Sequence, residues 1–406
     1  MNIIVLIVLY LMAVVSILIL RKEGLLRRGR QMLAAAFFIS VAFWIRYACM
    51  NHETLDYTHF LSRWVFHFRT YGVKALEGSV GNYNLPYLYF LAAFSYSDFY
   101  DLYLIKLLSI CFDVVLATAS MKLVSVATDS EDKRLFTFIA VLLMPTVILN
   151  GAYWGQCDSI YTAFGVLGVY YALSDKPAKA MVSIALSFAF KLQAVFIMPV
   201  FFILLYTKKI KFSHLFLFPL TYIVLAMSAV LLGRPFVETL TLYIDQAGTV
   251  GGGLNYNSPS IFALVSSGEH ASILSALGIF AAFGFLFLIY AWIYRRRHIV
   301  DARTIITVTC LITVAIPFLL PHMHDRYFFP ADVFSLIFAV LLPRYFMVPI
   351  LCSFASLLGY HAYLKQRYLM PMSMGTICLA VAIYALIAEL NCHFQDLDDP
   401  EVLDDY

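Results

Sequence analysis

The chain has 406 residues, 62% of them hydrophobic and 13% charged, with a net charge of +3 and a mean hydropathy of +0.83. That balance excludes a soluble domain and a nucleic-acid-binding module. It indicates an all-α polytopic membrane protein forming one domain over 1–406. No cytoplasmic loop is long enough to fold around a nucleotide, so no cytosolic cofactor is expected. Seven scattered cysteines form no CxxC pair and read as small core residues rather than as a metal or disulfide framework.

Apolar runs mark spans near 3–20, 32–49, 101–126, 134–150, 159–173, 180–194, 195–207, 213–232, 271–293, 302–320, 327–343, 346–363 and 371–388. The expectation is therefore about 13 transmembrane helices. Two of the runs, between 180 and 207, are short and interrupted by Lys191 and Pro199, which suggests a broken or re-entrant pair. Basic residues follow at alternate loops: Arg21 to Arg30, Lys133 and Arg134, Lys176 and Lys179, Lys208 to Lys211, Arg295 to Arg297, and Arg344. Counting the spans puts these loops on the cytoplasmic side, together with the acidic tail 391–406. The N-terminus and the long loops 51–100 and 233–270 then face outward, as does Lys365 with Arg367, which weakens the pattern.

Loop 51–100 carries Asp56 and then an amphipathic stretch. Phe60, Leu61, Trp64, Val65 and Phe68 recur at helical spacing opposite Arg63, His67 and Arg69, as in a helix lying in the interface. Asp56 has two readings: a base for a hydroxyl nucleophile, or the N-cap of the helix that follows it. Gly251 to Gly253 in loop 233–270 form either a mobile lid or a flexible tip.

Three more polar clusters fall on the outward side. Trp154, Gln156 and Asp158 follow Asn150 at the end of a span; Gln156 and Asp158 can grip sugar hydroxyls beside Trp154 as a stacking face, or serve as a belt residue and a cap. Lys191 is either a snorkelling side chain or a point charge for a lipid phosphate. Gln193 cannot share its helical face unless the helix breaks there. His322, His324, Asp325 and Arg326 are compressed into five residues, where Arg326 offers a fork of donors suited to phosphate or a structural pair with Asp325. His52, Asp56 and His59 at i, i+4 and i+7, with His322, are the one arrangement that suits a divalent metal; otherwise no metal and no cofactor is expected. Asp113 lies mid-span, where a carboxylate needs a buried cation or polar partner.

Taken together, four segments resemble the GT-C class of integral-membrane glycosyltransferases, in particular bacterial proteins similar to the GPI mannosyltransferase II family. They are Asp56 with Asn82 to Pro86, Asn150 to Asp158, Phe190 to Gln193, and Met323 to Phe329. The resemblance covers 56 to 329. It implies transfer of a hexose, mannose by analogy, from a polyprenyl-phosphate carrier to an extracytoplasmic glycan or lipid-linked acceptor, with inversion. Asp56 best matches the catalytic aspartate, and Lys191, His324 and Arg326 would hold the carrier phosphate. Tyr83, Asn84, Gln193 and Asn257 join Trp154, Gln156 and Asp158 as expected sugar or acceptor contacts. The chain departs from the family in having Asp325 where glutamate is usual, Leu85-Pro86 where paired prolines are frequent, and an added first span. A flippase or transporter of a lipid-linked sugar, and a repeat-unit polymerase, are the competing readings; buried charges and broken helices suit a carrier as well.

Overall fold

The computed structural model describes residues 2–81, 83–248, 252–265, 268 and 270–398. Asn82 of the family-like turn, Gly251 of the glycine triplet and the tail residues 399–406 lie outside these. The described chain is helical apart from one parallel pair of two-residue strands, Asn255–Tyr256 against Met323–His324. Among the described residues, eight helices are long and apolar enough to cross a membrane: Ile3–Lys22, Gly29–Cys49, Asp101–Val124, Phe212–Leu231, Ala271–Arg295, Ala302–Leu319, Pro343–Lys365 and Met372–Leu397. The chain is thus a multi-pass, all-α membrane protein.

The five other expected spans take different shapes. Glu131–Leu143 and Pro145–Trp154 form one run bent by 44°. Asp158–Leu173, Pro177–Phe190, Pro199–Tyr206 and Phe329–Leu341 have 16, 14, 8 and 13 residues, fewer than the ~20 that a hydrocarbon core requires. Proline explains most of the shortening, because Pro145, Pro177, Pro199 and Pro330 each sit in the first turn of a new helix. A proline lacks the N–H that continues a helix, and it pushes the residue before it toward an extended conformation. Met144 shows this directly: at φ −59° and ψ 124° it ends one helix and lets Pro145 start the next.

Layering follows from burial. Ala302–Leu319 lies at the centre, with 83% of its apolar window buried, whereas Phe212–Leu231 and Ala271–Arg295 bury only 11% and 17%. Those two present Leu231, Phe280 and Phe283 outward, as helices facing lipid do. The cysteines are all free.

The basic loops gather at one end of the bundle. There Glu23 pairs with Lys122 at 3.1 Å and Arg134 at 3.4 Å, Lys133 donates to the Leu341 carbonyl at 3.1 Å, and Glu389 takes both Arg303 and Arg344. The bond from Lys133 to Leu341 joins the first half of the chain to the second, so both halves have their basic ends together.

Mid-bundle, Arg46 and Asp113 form a fully buried pair at 2.9 Å. Arg46 also donates to the carbonyls of Ala42 (3.1 Å) and Leu142 (2.7 Å), and Ser159 donates to Asp113 at 2.5 Å. This is the buried cation that a mid-span Asp113 requires. Asp332, equally buried, has the Ser356 hydroxyl at 2.9 Å and the Thr146 side chain beside it, and it makes no ion pair among the described residues.

These two aspartates should respond to the same change by very different amounts. We predict that Asp113→Asn costs about 3–5 kcal/mol, because it strands a buried guanidinium. Asp332→Asn keeps the Ser356 contact and removes no ion pair, so it should cost about 1 kcal/mol or less. Thermal unfolding of both variants in detergent checks this; equal destabilisation would contradict it.

Candidate active site

At the opposite end from the basic loops, Asp56, Trp154, Gln156, Asp158, Lys191 and Arg326 converge. Their placement starts with a capped helix end. The last carbonyls of Gly29–Cys49 would be orphaned in an apolar setting. Buried Lys106 takes Cys49 O at 2.9 Å, Met50 O at 3.3 Å and His52 O at 2.6 Å. Thr54 then donates to the Trp154 carbonyl at 3.1 Å, which anchors the approach to Asp56.

Asp56 is not a helix cap, since its side chain makes no cap bond to the π-helical turn Tyr57–Leu61. Its Oδ2 accepts from Trp154 Nε1 at 2.8 Å and Gln156 Nε2 at 2.6 Å. Its Oδ1 accepts from the Tyr363 hydroxyl, and Arg326 stands 3.6 Å away. The π-helical turn leaves Phe60 48% exposed, and the following helix, Ser62–Tyr71, buries Val65 and Phe68 but leaves Phe66 67% exposed. Its apolar face is therefore narrower than the sequence spacing suggested.

Trp154 and Gln156 reach Asp56 because the bent span ends in a π-helical turn, Leu149–Trp154, and reverses at Gly155 with φ +82°, a conformation that favours glycine. Ser109 fixes the reversal through the Gln156 carbonyl at 2.6 Å. Trp154 is fully buried. It stacks on Tyr363 at 4.7 Å and 18° and carries Arg326 over its ring at 5.3 Å. The structure thus corrects the reading of Trp154 as an open stacking face for a sugar: both its faces are taken, and its N–H holds Asp56. Gln156 is likewise buried and receives the Tyr83 hydroxyl at 3.0 Å.

Asp158 and Lys191 form the second pair. Helix Pro177–Phe190 breaks at Lys191, which is extended at φ −155° and ψ 135° before a 3-10 turn over Leu192–Phe196. The break places Lys191 Nζ on Asp158, not in the interface, so the snorkelling reading fails. Asn150 completes the carboxylate, donating to Oδ2 at 2.7 Å. Tyr83 and Tyr161 hold the ammonium at 5.6 and 5.9 Å, within cation–π range.

Arg326 lies between the two pairs. It is 3.6 Å from Asp56, 3.9 Å from Asp158 and 3.9 Å from Asp325. Its Nε and one Asp325 oxygen are buried without hydrogen-bond partners. The strand pair sets its position by fixing Met323–His324, while Gly359 packs where a Cβ would come within 2.7 Å of Asn257 O and 3.0 Å of Asp325 O.

Burial pushes the Asp325 carboxyl up to about 7, more than Arg326 pulls it down, and Asp56 and Asp158 add to the rise. Burial first, then Arg326 and Lys191, pushes His324 down to about 4. His324 is therefore neutral at pH 7 and can offer an N–H but no charge. It stacks on Tyr256 at 4.6 Å.

The other expected residues lie around this centre with different duties. Tyr83 and Gln193 flank it, with Gln193 hydrogen-bonded to Tyr327. Asn84 caps helix Leu85–Ser95 and donates to Tyr222 at 2.9 Å, so it is spent on the fold. Asn257 accepts from Tyr368 at 2.6 Å. His52 stacks on Tyr153 at 3.8 Å, His59 meets the Leu55 carbonyl at 3.0 Å, and His322 uses both ring nitrogens, on Gly253 O at 2.7 Å and Ser275 at 3.0 Å. Among the described residues, no group of three or more His, Cys, Asp or Glu is placed to hold a metal ion. Tyr363 is the member that the sequence did not single out. At the outer end of an apolar helix it looks like an interfacial aromatic, and no spacing links it to Asp56.

No family model matches the chain, and no curated protein matches it.

Titration of Asp325 sets a sign for stability. With its folded value raised above the ordinary 3.8 to about 7, its contribution is complete below about pH 4 and is lost as pH rises through 7. We predict that the stability of Asp325→Asn relative to the wild type grows from pH 4 to 7 and then levels off. A difference independent of pH would contradict this. Neutral His324 contributes in the other direction, its share being lost as pH falls through about 4.

Proposed function

We propose that this chain is an inverting membrane glycosyltransferase, using a polyprenyl-phosphate hexose, with mannose the first candidate, and acting on an extracytoplasmic glycan or lipid-linked acceptor. The observation that carries this reading is the placement of one carboxylate, Asp56, within 3.6 Å of Arg326 and at the same end as Lys191. That end lies opposite the basic loops, which by the positive-inside rule puts the site on the outer face, the N-terminus outside and the C-terminus in the cytoplasm. The family resemblance of the four segments supports the same reading.

In this mechanism the Asp56 carboxylate takes the proton from an acceptor hydroxyl. The oxygen attacks the anomeric carbon from the side opposite the phosphate. The bond between that carbon and the phosphate oxygen breaks, and polyprenyl phosphate leaves with the electron pair. Lys191 and Arg326 stabilise the charge growing on the leaving phosphate, and His324 adds an N–H. The three donors on Asp56 fix its direction; the hydroxyl must displace one of them, and Tyr363 is the most exposed to exchange.

The charge count makes the site pH-sensitive. Lys191 and Arg326 face Asp56, Asp158 and Asp325, so an incoming phosphate meets excess negative charge once Asp325 ionises. We predict that the donor KM rises as pH passes through about 7, and that Asp325→Asn flattens this rise; an unchanged profile would remove Asp325 from the phosphate's surroundings.

The decisive activity test is transfer by purified, lipid-reconstituted protein offered a panel of polyprenyl-phosphate hexoses and a membrane extract as acceptor. Loss of a general base costs ~10²–10⁴ in rate. Asp56→Asn is predicted to lose that much kcat while remaining folded, and near-normal turnover would eliminate Asp56 as the base. A lipid-linked sugar that crosses the bilayer unchanged, with no product from any donor, would favour a flippase; long polymers made from a diphosphate-linked oligosaccharide would favour a polymerase.

A further inference from the structure

A cavity of about 710 Å³ opens between the loop 254–265 and the turn 368–372, lined by Leu254, Asn255, Asn257, Phe262, Tyr368 and Met370 among others. Its size falls within the ~300–1,000 Å³ of small-molecule sites. It lies behind the strand that carries His324's partner. Asn255 and Asn257 line it, while Tyr256 between them turns the other way and stacks on His324, as the two-residue period of a strand requires.

One short segment of chain connects the Asp56 carboxylate to the cavity. Tyr363 holds Asp56; five residues on, past the left-handed turn at Gln366 with φ +51°, Tyr368 lines the cavity and donates to Asn257 at 2.6 Å. Lys191 lies on Asp158 between Tyr83 and Tyr161 and is not among the residues that line the cavity. In a displacement with inversion, the nucleophile and the leaving phosphate stand on opposite faces of the anomeric carbon. With the phosphate on Lys191, which does not line the cavity, the cavity is left for the molecule that brings the nucleophile.

The lining specifies a ligand of two characters. Tyr368 and the Asn257 amide suit sugar hydroxyls and a sugar face, and Asn255 keeps one N–H after bonding both ways with Ser258 at 2.8 Å. Leu254, Phe262 and Met370 are apolar. Leu369, which lines the cavity from the turn between the long helices Pro343–Lys365 and Met372–Leu397, is 63% exposed and suits contact with an apolar chain.

We propose that this cavity is the subsite for an amphipathic glycoside, a sugar ring bearing an apolar chain, drawn from the outer leaflet as the acceptor. The assignment of the cavity to the acceptor rests on the glycosyltransferase reading.

The test uses octyl glucoside with a diazirine at the end of its chain, and diazirine-bearing octanol as the sugar-free control, on protein in phospholipid nanodiscs without any donor. Photolabelling by the glucoside should map to 254–265 and 368–372 and be competed by plain octyl glucoside. Ala263→Trp, which fills the cavity, should abolish it, and the surface change Tyr368→Ala should weaken competition about tenfold, the loss of roughly one hydrogen bond and its ring contact. Labelling elsewhere, or equal labelling by the octanol probe, would overturn the proposal, the latter leaving only a groove for lipid tails. Because labelling is read without turnover, cavity labelling with no transfer from any donor would uphold the glycoside site and remove the transferase reading. Full transfer to an octyl glycoside by Ala263→Trp would do the reverse.

Discussion

Arg326 is the constraint on which the site depends. A guanidinium with three carboxylates within 3.6 to 3.9 Å cannot be moved without leaving buried charge uncompensated, and that penalty exceeds most other single terms in a membrane fold. Each carboxylate comes from a different part of the chain: Asp56 from the loop after the second long helix, Asp158 from the start of a helix after the bent span, and Asp325 from the residue next to Arg326 itself. The fold can satisfy Arg326 only by bringing these parts together. Trp154 beneath it and Tyr363 beneath Trp154 extend the demand to a fourth segment.

The rest of the bundle serves this requirement at a distance. Arg46 and Asp113 tie the second and third long helices mid-span, and Lys106 closes the end of the helix that leads to Asp56. The broken elements sit where charge must be delivered: the extended Lys191 ends one helix, and the 44° bend with its π-helical turn carries Trp154 and Gln156. Irregular backbone at membrane depth is tolerated where protein buries it, and here irregular segments present Trp154 and Lys191 to the polar cluster. Within the site, the Asp325 carboxyl is brought up to about 7 by its burial.

The sequence revealed the segments better than their duties. The break at Lys191 was legible because a charge and Pro199 interrupt two short apolar runs, and the buried partner of Asp113 because a mid-span carboxylate demands one. The alternation of basic loops led to the expectation that the four polar clusters share a face, and the contacts of Arg326 with Asp56 and Asp158 and of Lys191 with Asp158 bring them together. Crossing number was less legible, because hydropathy does not register that Pro145, Pro177, Pro199 and Pro330 restart helices and leave them short. Trp154 was misread since a sequence cannot show that both faces of an indole are covered. Tyr363 was invisible because its bond to Asp56 spans 307 residues and its own surroundings are those of any interfacial tyrosine.

The central claim is that Lys191 and Arg326 receive the phosphate of a lipid-linked sugar with Asp56 at its anomeric carbon. The most direct measurement is a structure of Asp56→Asn, in which turnover is blocked, bound to a polyprenyl-phosphate hexose. The account predicts the phosphate within hydrogen-bonding distance of both Lys191 and Arg326, Lys191 drawn off Asp158, and the sugar between the phosphate and residue 56. A phosphate bound away from both cations, or a sugar lodged on a path toward the basic end of the bundle, would contradict it.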